Sequence, residues 1–470
     1  MCEAKLITEC FVRPENEVTI AERIYNLNPF DTSFLSRDNV QSGLLYAKPS
    51  GFSASSYLES LRSSLSRALV YFYPLAGRFV SLRDEEERTS FVYIDCTKGP
   101  GARLIHASAQ CLTMLDVLSP NSDVPMVVKS FFDLGEMTNN YDGHTKGLLS
   151  VQMTELKDSV FLGFCFNHVV VDGVSIVHFL TVWSKIFVMG KLPSSIPLPI
   201  VQRPASLDGK AVKLIPFYVD HLGKNESVSR SMNEYHLRER VFRISPPSLK
   251  KLKRMANSEA IMTDNINISS SKKGISEFQA LIAFVWKCIT RIRKLPPNEV
   301  TTCMLSVDLR PRLKPALTYN HLGNYAVKAK ASARVAELLG NTVGWAATLL
   351  QQSVAALDNK EAHELMSRVD ELIPGVETSR SNSSVVRVGA SSRFDLNEFK
   401  FGLGRLVAYH GGYGNNVDGK MNACMGTHGD GSVDLEICLA PNTMTALSFD
   451  EEFMCFASQH NGHYNHVSKM

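Results

Sequence analysis

Apolar positions recur along this chain with two periods, and each marks a different kind of element. In LRSSLSRALVYF, Leu61, Leu65, Leu69 and Phe72 fall at helical spacing, so residues 61–72 read as an amphipathic helix. Pro74 stops it, and the chain turns through Gly77 into a strand. SFVYIDC (90–96) and LLSVQMTEL (148–156) have the β-branched and aromatic content of strands. SVFLGFCFNHVVV (159–171) is a nearly unbroken apolar run of the kind buried on both faces of a sheet. Asp172-Gly173 breaks it, and residues 173–188 follow as a helix.

From about residue 189 to residue 225 the periodicity stops. KLPSSIPLPIVQRPASLDG is rich in proline and serine and reads as an extended crossover. Beyond it the alternation resumes. A strand in EYHLRERVFRIS leads to a helix opening at Pro246-Pro247, and a strong helix over 276–295 has Ser276 as its N-cap. A strand over 301–310 and one helix over 336–358 come next. RLVAYHG, KMNACMG and SVDLEICLA then return to strands, and the GGYGNN between the first two (411–416) reads as a hairpin turn rather than a phosphate loop. Strands alternating with helices in both halves predict an α/β (α+β) fold in two domains with a cleft between them. The expected boundaries are 1–200 and 226–470, with a linker over 201–225.

Composition narrows the function. At 470 residues the chain exceeds what one core usually supports. A formal net charge of +3 gives no reason to expect nucleic acid as a main partner. No run of about 18 apolar residues occurs, so no membrane span is expected. The start, MCEAKLITECFVRPENE, lacks the pattern of a secretory signal. Ten scattered cysteines, without a CxxC pair or zinc spacing, are expected to be reduced and mostly buried, and no metal is expected. The C-terminal Ser468-Lys469-Met470 is similar to the S-K-L peroxisomal address, so peroxisome and cytosol are both expected locations.

His168 is the candidate chemical centre. It ends a buried run at a turn, with Asp172 four residues on. Catalytic groups favour such rigid positions at an open cleft. Taken alone, the same histidine also reads as a satisfied core residue, because thirteen histidines offer many chance matches to HxxxD.

The motif does not stand alone. FNHVVVDGVSIVHF resembles the HxxxDG segment of the plant BAHD acyltransferases, and YPLAGR (73–78) is similar to their N-terminal signature. ISEFQALIAFVWKCITRIRKL resembles the helix opening their second domain. VDLRPRLKPALTYNHLGNYAV (307–327) resembles their VDxR…GYFGN segment, and KFGLG (400–404) falls where they have DFGWG. The resemblance spans nearly the whole chain and is nearest the branch called uncharacterised acetyltransferases. It implies two chloramphenicol-acetyltransferase-like domains, each a mixed sheet flanked by helices, in a monomer with a channel at the interface. It also implies an O- or N-acyltransferase of plant specialised metabolism, taking acyl-CoA as co-substrate and a small-molecule acceptor, with no bound cofactor. His168 would be the general base for direct attack on the thioester, a role suited to imidazole. Asp172 would pair with Arg310 and support the His168 turn rather than act on the substrate.

Two departures bear on this reading. Lys400 replaces an acidic residue, so one ion pair is expected to be lost or inverted. Leu403 replaces a tryptophan whose N–H is a proposed oxyanion donor in relatives, and leucine has none. For CoA phosphates, Lys272 and Lys273 are candidates, with Ser276 at the following helix N-terminus. A solvated loop is the bland alternative for the two lysines. The competing function is a repurposed relative that keeps His168 but performs lyase-type or other chemistry without CoA. A silent binding protein is a third reading, which the intact HVVVDG motif disfavours.

Overall fold

The computed structural model describes residues 3–84, 86, 89–118, 122–133, 139–202, 215–216, 237–263, 274–368, 383–389 and 395–459. Apart from residues 201–202 and 215–216, the expected linker lies outside them, as do the C-terminal tripeptide and the histidines at 460, 463 and 466.

Two mixed sheets dominate. A six-stranded sheet runs in the order β1 (Lys5–Val12), β6 (Ala102–Ala109), β7 (Leu149–Leu156), β8 (Ser159–Phe166), β3 (Val40–Ala47) and β14 (Leu406–Gly411). A seven-stranded sheet runs β12 (Ala326–Arg334), β11 (Val300–Asp308), β13 (Val385–Val388), β15 (Lys420–Met425), β16 (Val433–Leu439), β10 (Arg238–Ile244) and β17 (Ala457–Gln459). A small sheet joins β2 (Ile24–Asn26), β5 (Thr89–Asp95) and β4 (Arg78–Asp84), with β9 (Ile215–Pro216) on β5.

Helices cover one face of each large sheet. In the first half these are α1 (Ala54–Tyr71) and α2 (Gly173–Met189). In the second half they are α3 (Pro246–Thr263), α4 (Glu277–Ile292), α5 (Val335–Gly340) and α6 (Val343–Ala355). Leu61, Leu65, Ala68 and Leu69 of α1 pack with Phe179, Leu180, Val182 and Trp183 of α2. The fully buried stretch Ala280–Thr290 makes α4 the centre of the second core. Both helices that frame the later argument are capped as their sequences dictate. Asp172 caps α2 by accepting from Ser175 N–H, and Gly190 ends it in the left-handed conformation at φ +71°. Ser276 caps α4 in a reciprocal box with Gln279.

Four expectations need correcting. The apolar run over 159–171 is not one strand: β8 ends at Phe166, and residues 168–170 form a turn. The helix expected over 336–358 is two, because Gly340-Asn341 interrupts it and Thr342 starts α6 by accepting from Trp345 N–H. GGYGNN is not a hairpin. The chain leaves β14 in the first sheet there and enters β15 in the second. Among the described residues, eight cysteines are free and most of these are buried, but Cys111 is disulfide-bonded, against the expectation of a wholly reduced set.

The placement of β14 ties the late part of the chain to the early sheet. It pairs antiparallel with β3, which pairs on its other side with β8. Gly43 of β3 lies opposite Gly163 of β8, and a Cβ at Gly43 would sit 2.1 Å from the Phe161 ring. The segment before β14 is anchored too. Tyr46 Oη donates to Phe399 O at 2.6 Å, and Tyr57 Oη donates to Phe401 O at 2.9 Å. The Phe401 ring meets Trp183 edge-on, centroids 5.0 Å apart. Because Phe401 is fully buried, Phe401→Ala is expected to lower unfolding free energy by about 3–5 kcal/mol. Urea denaturation followed by tryptophan fluorescence would measure it. A shift below about 1 kcal/mol, the range of surface changes, would mean that this segment does not hold the fold.

Candidate active site

The site forms where the end of β8 meets the start of β12. His168 sits in the turn after β8, half-buried, with its backbone N–H donating to Asn140 Oδ1 at 2.8 Å. Its ring stacks on Phe34, with centroids 4.0 Å apart and planes 15° from parallel. Asn324, just before β12, fixes the other edge. Its Nδ2 lies within hydrogen-bond reach of His168 O (2.7 Å), Val169 O (3.1 Å) and Asp31 Oδ1 (3.2 Å). All three are acceptors, so the amide nitrogen must face them and Oδ1 must face the imidazole. That oxygen lies 3.2 Å from His168 Nδ1.

The tautomer follows from this arrangement. An amide oxygen only accepts, so Nδ1 carries the hydrogen and Nε2 keeps its lone pair. Burial pushes the imidazole pKa down to about 4, with Arg37 and Lys328 pushing in the same direction. The ring is therefore neutral at pH 7, with an uncommitted basic nitrogen.

Asp172 does not touch the ring. Its Oδ2 accepts from Arg310 Nη1 at 2.8 Å, and its Oδ1 accepts from Arg310 Nη2 at 3.1 Å. Ser175 N–H and Tyr325 N–H complete its shell at 2.9 and 3.0 Å. Burial would raise this carboxyl, but Arg310 and the two backbone donors hold it below the usual carboxylate range. Arg310 is fully buried and donates as well to Asp308, His321 O, Gly323 O and the Ser175 hydroxyl. Its guanidinium lies over the Tyr325 ring, 4.5 Å from the centroid. The pair therefore clamps the start of α2 to the 308–325 segment, and His168 hangs from the turn between the clamp and β8.

The other sequence-selected residues lie elsewhere. Ser276 Oγ is spent on the α4 cap, accepting from Gln279 N–H at 3.2 Å. Lys272 and Lys273 lie outside the described residues. Leu403 packs against the apolar core of the first half and offers no donor. Lys400 is exposed and makes no ion pair among the described residues. His178 is structural, its Nε2 2.9 Å from Pro197 O. Sequence reasoning missed Asn140, Phe34, Arg37 and Lys328. It gave Asn324 no role of its own, although this asparagine sets the His168 tautomer.

Residues 6–454 match the model of the Transferase family. This chain belongs to that family, the BAHD acyltransferases. It is an acyltransferase with two mixed sheets flanked by helices. An uncharacterized acetyltransferase of Arabidopsis thaliana is 30% identical, over 97% of this chain and 99% of its own. BAHD acyltransferase DCR of the same plant is 27% identical, over 96% and 92%. Among solved structures, F. sporotrichioides TRI101 complexed with coenzyme A and T-2 superposes with TM-score 0.73. It is 18% identical and covers 93% of this chain and 99% of its own, a likeness of fold.

The clamp gives a direct expectation. Asp172→Asn leaves Arg310 under-neutralised in the interior, which should cost about 3–5 kcal/mol of stability. Activity should fall through misplacement of His168, while the acid limb of the pH–rate profile moves down by less than a full unit, because the Asp172 charge raises the imidazole pKa only from a distance. An acid limb moved by a full pH unit in the surviving activity would mean that Asp172 acts on the imidazole directly.

Proposed function

We propose that this acyltransferase moves an acyl group from a CoA thioester to a hydroxyl or amine of a small plant metabolite, with His168 as general base. The observation that carries the reading is the split between the two ring nitrogens. Nδ1–H is held by Asn324, so Nε2 is the ring nitrogen left to take a proton from an acceptor. The acceptor oxygen or nitrogen attacks the thioester carbonyl as Nε2 takes its proton. The tetrahedral adduct then collapses, the C–S bond breaks, and the CoA thiolate recovers that proton from the imidazolium. A thioester is already activated, so no acyl-enzyme is needed. The coenzyme A bound in the TRI101 complex supports CoA as the carrier. Lys272 and Lys273 remain the candidates for its phosphates, and monomeric operation in cytosol or peroxisome belongs to the same proposal.

The test follows thiol release from acetyl-, malonyl-, benzoyl- and p-coumaroyl-CoA with alcohol, phenol and amine acceptors, using the full chain and His168→Ala. Loss of the base should lower kcat by roughly 10²–10⁴-fold. Acceptor-dependent release undiminished in the variant would remove His168 from the mechanism. Turnover of a metabolite by wild type with no CoA present would move the function to the non-CoA reading.

The pH dependence is a separate check. Folding lowers the His168 pKa to about 4, from an ordinary value near 6.5. The base is therefore already deprotonated over the neutral range, and kcat/KM for the free enzyme should stay level from pH 8 to about 5.5. It should fall only as pH approaches 4, provided the enzyme remains folded. The unfolded chain takes up this proton near pH 6.5 and the folded chain does not, so this group costs stability as pH drops through that window. An acid limb at 6.5 in kcat/KM would contradict the buried neutral imidazole.

A further inference from the structure

A second histidine shows the same division of its two nitrogens as His168, and the transfer chemistry does not use it. His144 closes the 3-10 turn Asn140–His144. Its Nδ1 lies 2.7 Å from Tyr141 O, and its Nε2 lies 2.7 Å from the Ser81 hydroxyl on β4. A carbonyl oxygen only accepts, so Nδ1 carries the hydrogen and Nε2 accepts from Ser81 Oγ–H. A nucleophile, a base and a group that orients the base are thus in hydrogen-bond contact, the arrangement that activates a serine.

We propose that Ser81 and His144 form a second, nucleophilic site that takes the acyl group of an activated ester or thioester onto the serine and releases it to water.

The first support is that the backbone fixes both side chains. Ser81 lies opposite Val92 of β5, and Phe79, two residues earlier on β4, shares its face. The Phe79 ring meets the His144 imidazole edge-on, centroids 5.6 Å apart, and the Tyr141 ring flanks it at 4.6 Å. The start of the turn is pinned as well. Asn140 N–H donates to Arg37 O at 2.8 Å, and Tyr141 N–H donates to Leu35 O at 3.1 Å. Gly143 lets the turn press against β4, since a Cβ there would fall 2.5 Å from the Phe79 ring. The Tyr141 carbonyl is therefore held in place, and with it the His144 tautomer.

The second support is access. Among the described residues β4 pairs only with β5, so its outer side is a sheet edge. Ser81 and His144 are both half-buried, and Leu82 beside them is exposed. A hydroxyl polarised by a base and still open to solvent can meet an acyl compound. The site is separate from the first one. Asn140, at the start of the turn, holds the His168 backbone N–H, whereas the end of the turn presents His144 to β4.

In the first step Ser81 Oγ bonds to the acyl carbon while Nε2 takes the hydroxyl proton. The bond from that carbon to its alkoxide or thiolate then breaks, and the leaving group recovers the proton from the imidazolium. In the second step water attacks the seryl ester and gives a proton to Nε2. The ester opens, Ser81 regains that proton, and the carboxylic acid departs. Water is the only co-reactant, and nothing is oxidised or reduced.

The experiment uses the full chain carrying His168→Ala, which removes the base of the first site. A fluorophosphonate, which traps activated serines, should modify Ser81, located by peptide mass spectrometry. His144→Gln should slow that reaction by roughly 10²–10⁴-fold. Ser81→Ala should abolish hydrolysis of p-nitrophenyl acetate and acetyl-CoA at this site. Hydrolysis of the first alone assigns oxygen esters as the substrate class, and of the second alone thioesters. Thermal melting confirms that His144→Gln folds. Ser81→Cys supplies a second measurement, because its thiol should react with iodoacetamide at least about tenfold faster than in the Ser81→Cys, His144→Gln double variant.

Modification of Ser81 no faster than of other serines, with equal thiol rates in the two cysteine variants, would overturn the site and leave its hydrogen bond as a staple between the turn and β4. Labelling undiminished in folded His144→Gln does the same, and a labelled serine with neither donor consumed ends the acyl-transfer assignment. With His168 intact, thiol release that needs an acceptor reports on His168, and release without one reports on Ser81, so either reading can fail while the other stands.

Discussion

The buried ion pair of Asp172 and Arg310 is the constraint on which the site depends. Neither charge would survive in the interior alone, and the pair is tolerable only because every remaining lone pair and proton is answered. Asp172 has four donors, and Arg310 spreads its donors over two carboxylates, two backbone carbonyls and a hydroxyl. The partners come from segments 138 residues apart. A half-formed version would leave bare charge in an apolar setting. The start of α2, the 308–325 segment and the His168 turn therefore form together or not at all.

This architecture assigns different work to groups that look like one dyad in sequence. HxxxD suggests an imidazole backed by a carboxylate, but the carboxylate faces the arginine and a neutral amide orients the imidazole. The choice has an electrostatic consequence. A carboxylate at Nδ1 would raise the proton affinity of the ring, whereas Asn324 orients it without adding charge. With cations nearby and little solvent, the ring stays neutral and ready to accept.

The sequence was most informative where local pattern and final environment agree. Leu61, Leu65 and Leu69 mark α1, and Ser276 followed by an apolar stripe marks α4, because capping and 3.6-residue spacing are local. β3 and β12 escaped notice. VQSGLLYA contains a glycine required by the Phe161 ring across the sheet, and AVKAKASAR alternates alanine with lysine, so contrast between its faces is low. The end of β8 was misplaced because Val169, Val170 and Val171 are as buried as strand residues while lying in and just after a turn. In the site, His168, Asp172 and Arg310 were legible through motifs. Asn140, Phe34, Arg37 and Lys328 were not, since they are brought to the imidazole from distant segments and carry no spacing signal of their own.

The pairing of β14 with β3 has a consequence for how the molecule is made. During synthesis, β3 and β8 are complete by residue 166, yet the strand that covers the free side of β3 begins at residue 406. At ribosomal rates of roughly 5–20 residues per second, that edge stays unpaired for some tens of seconds. It carries Leu44, Leu45 and Tyr46 along open backbone donors and acceptors, the features of a strand that recruits neighbours. The nascent first half is thus a sticky intermediate. Fragments that stop before residue 406 expose the same edge permanently, because only β14 pairs with that side of β3.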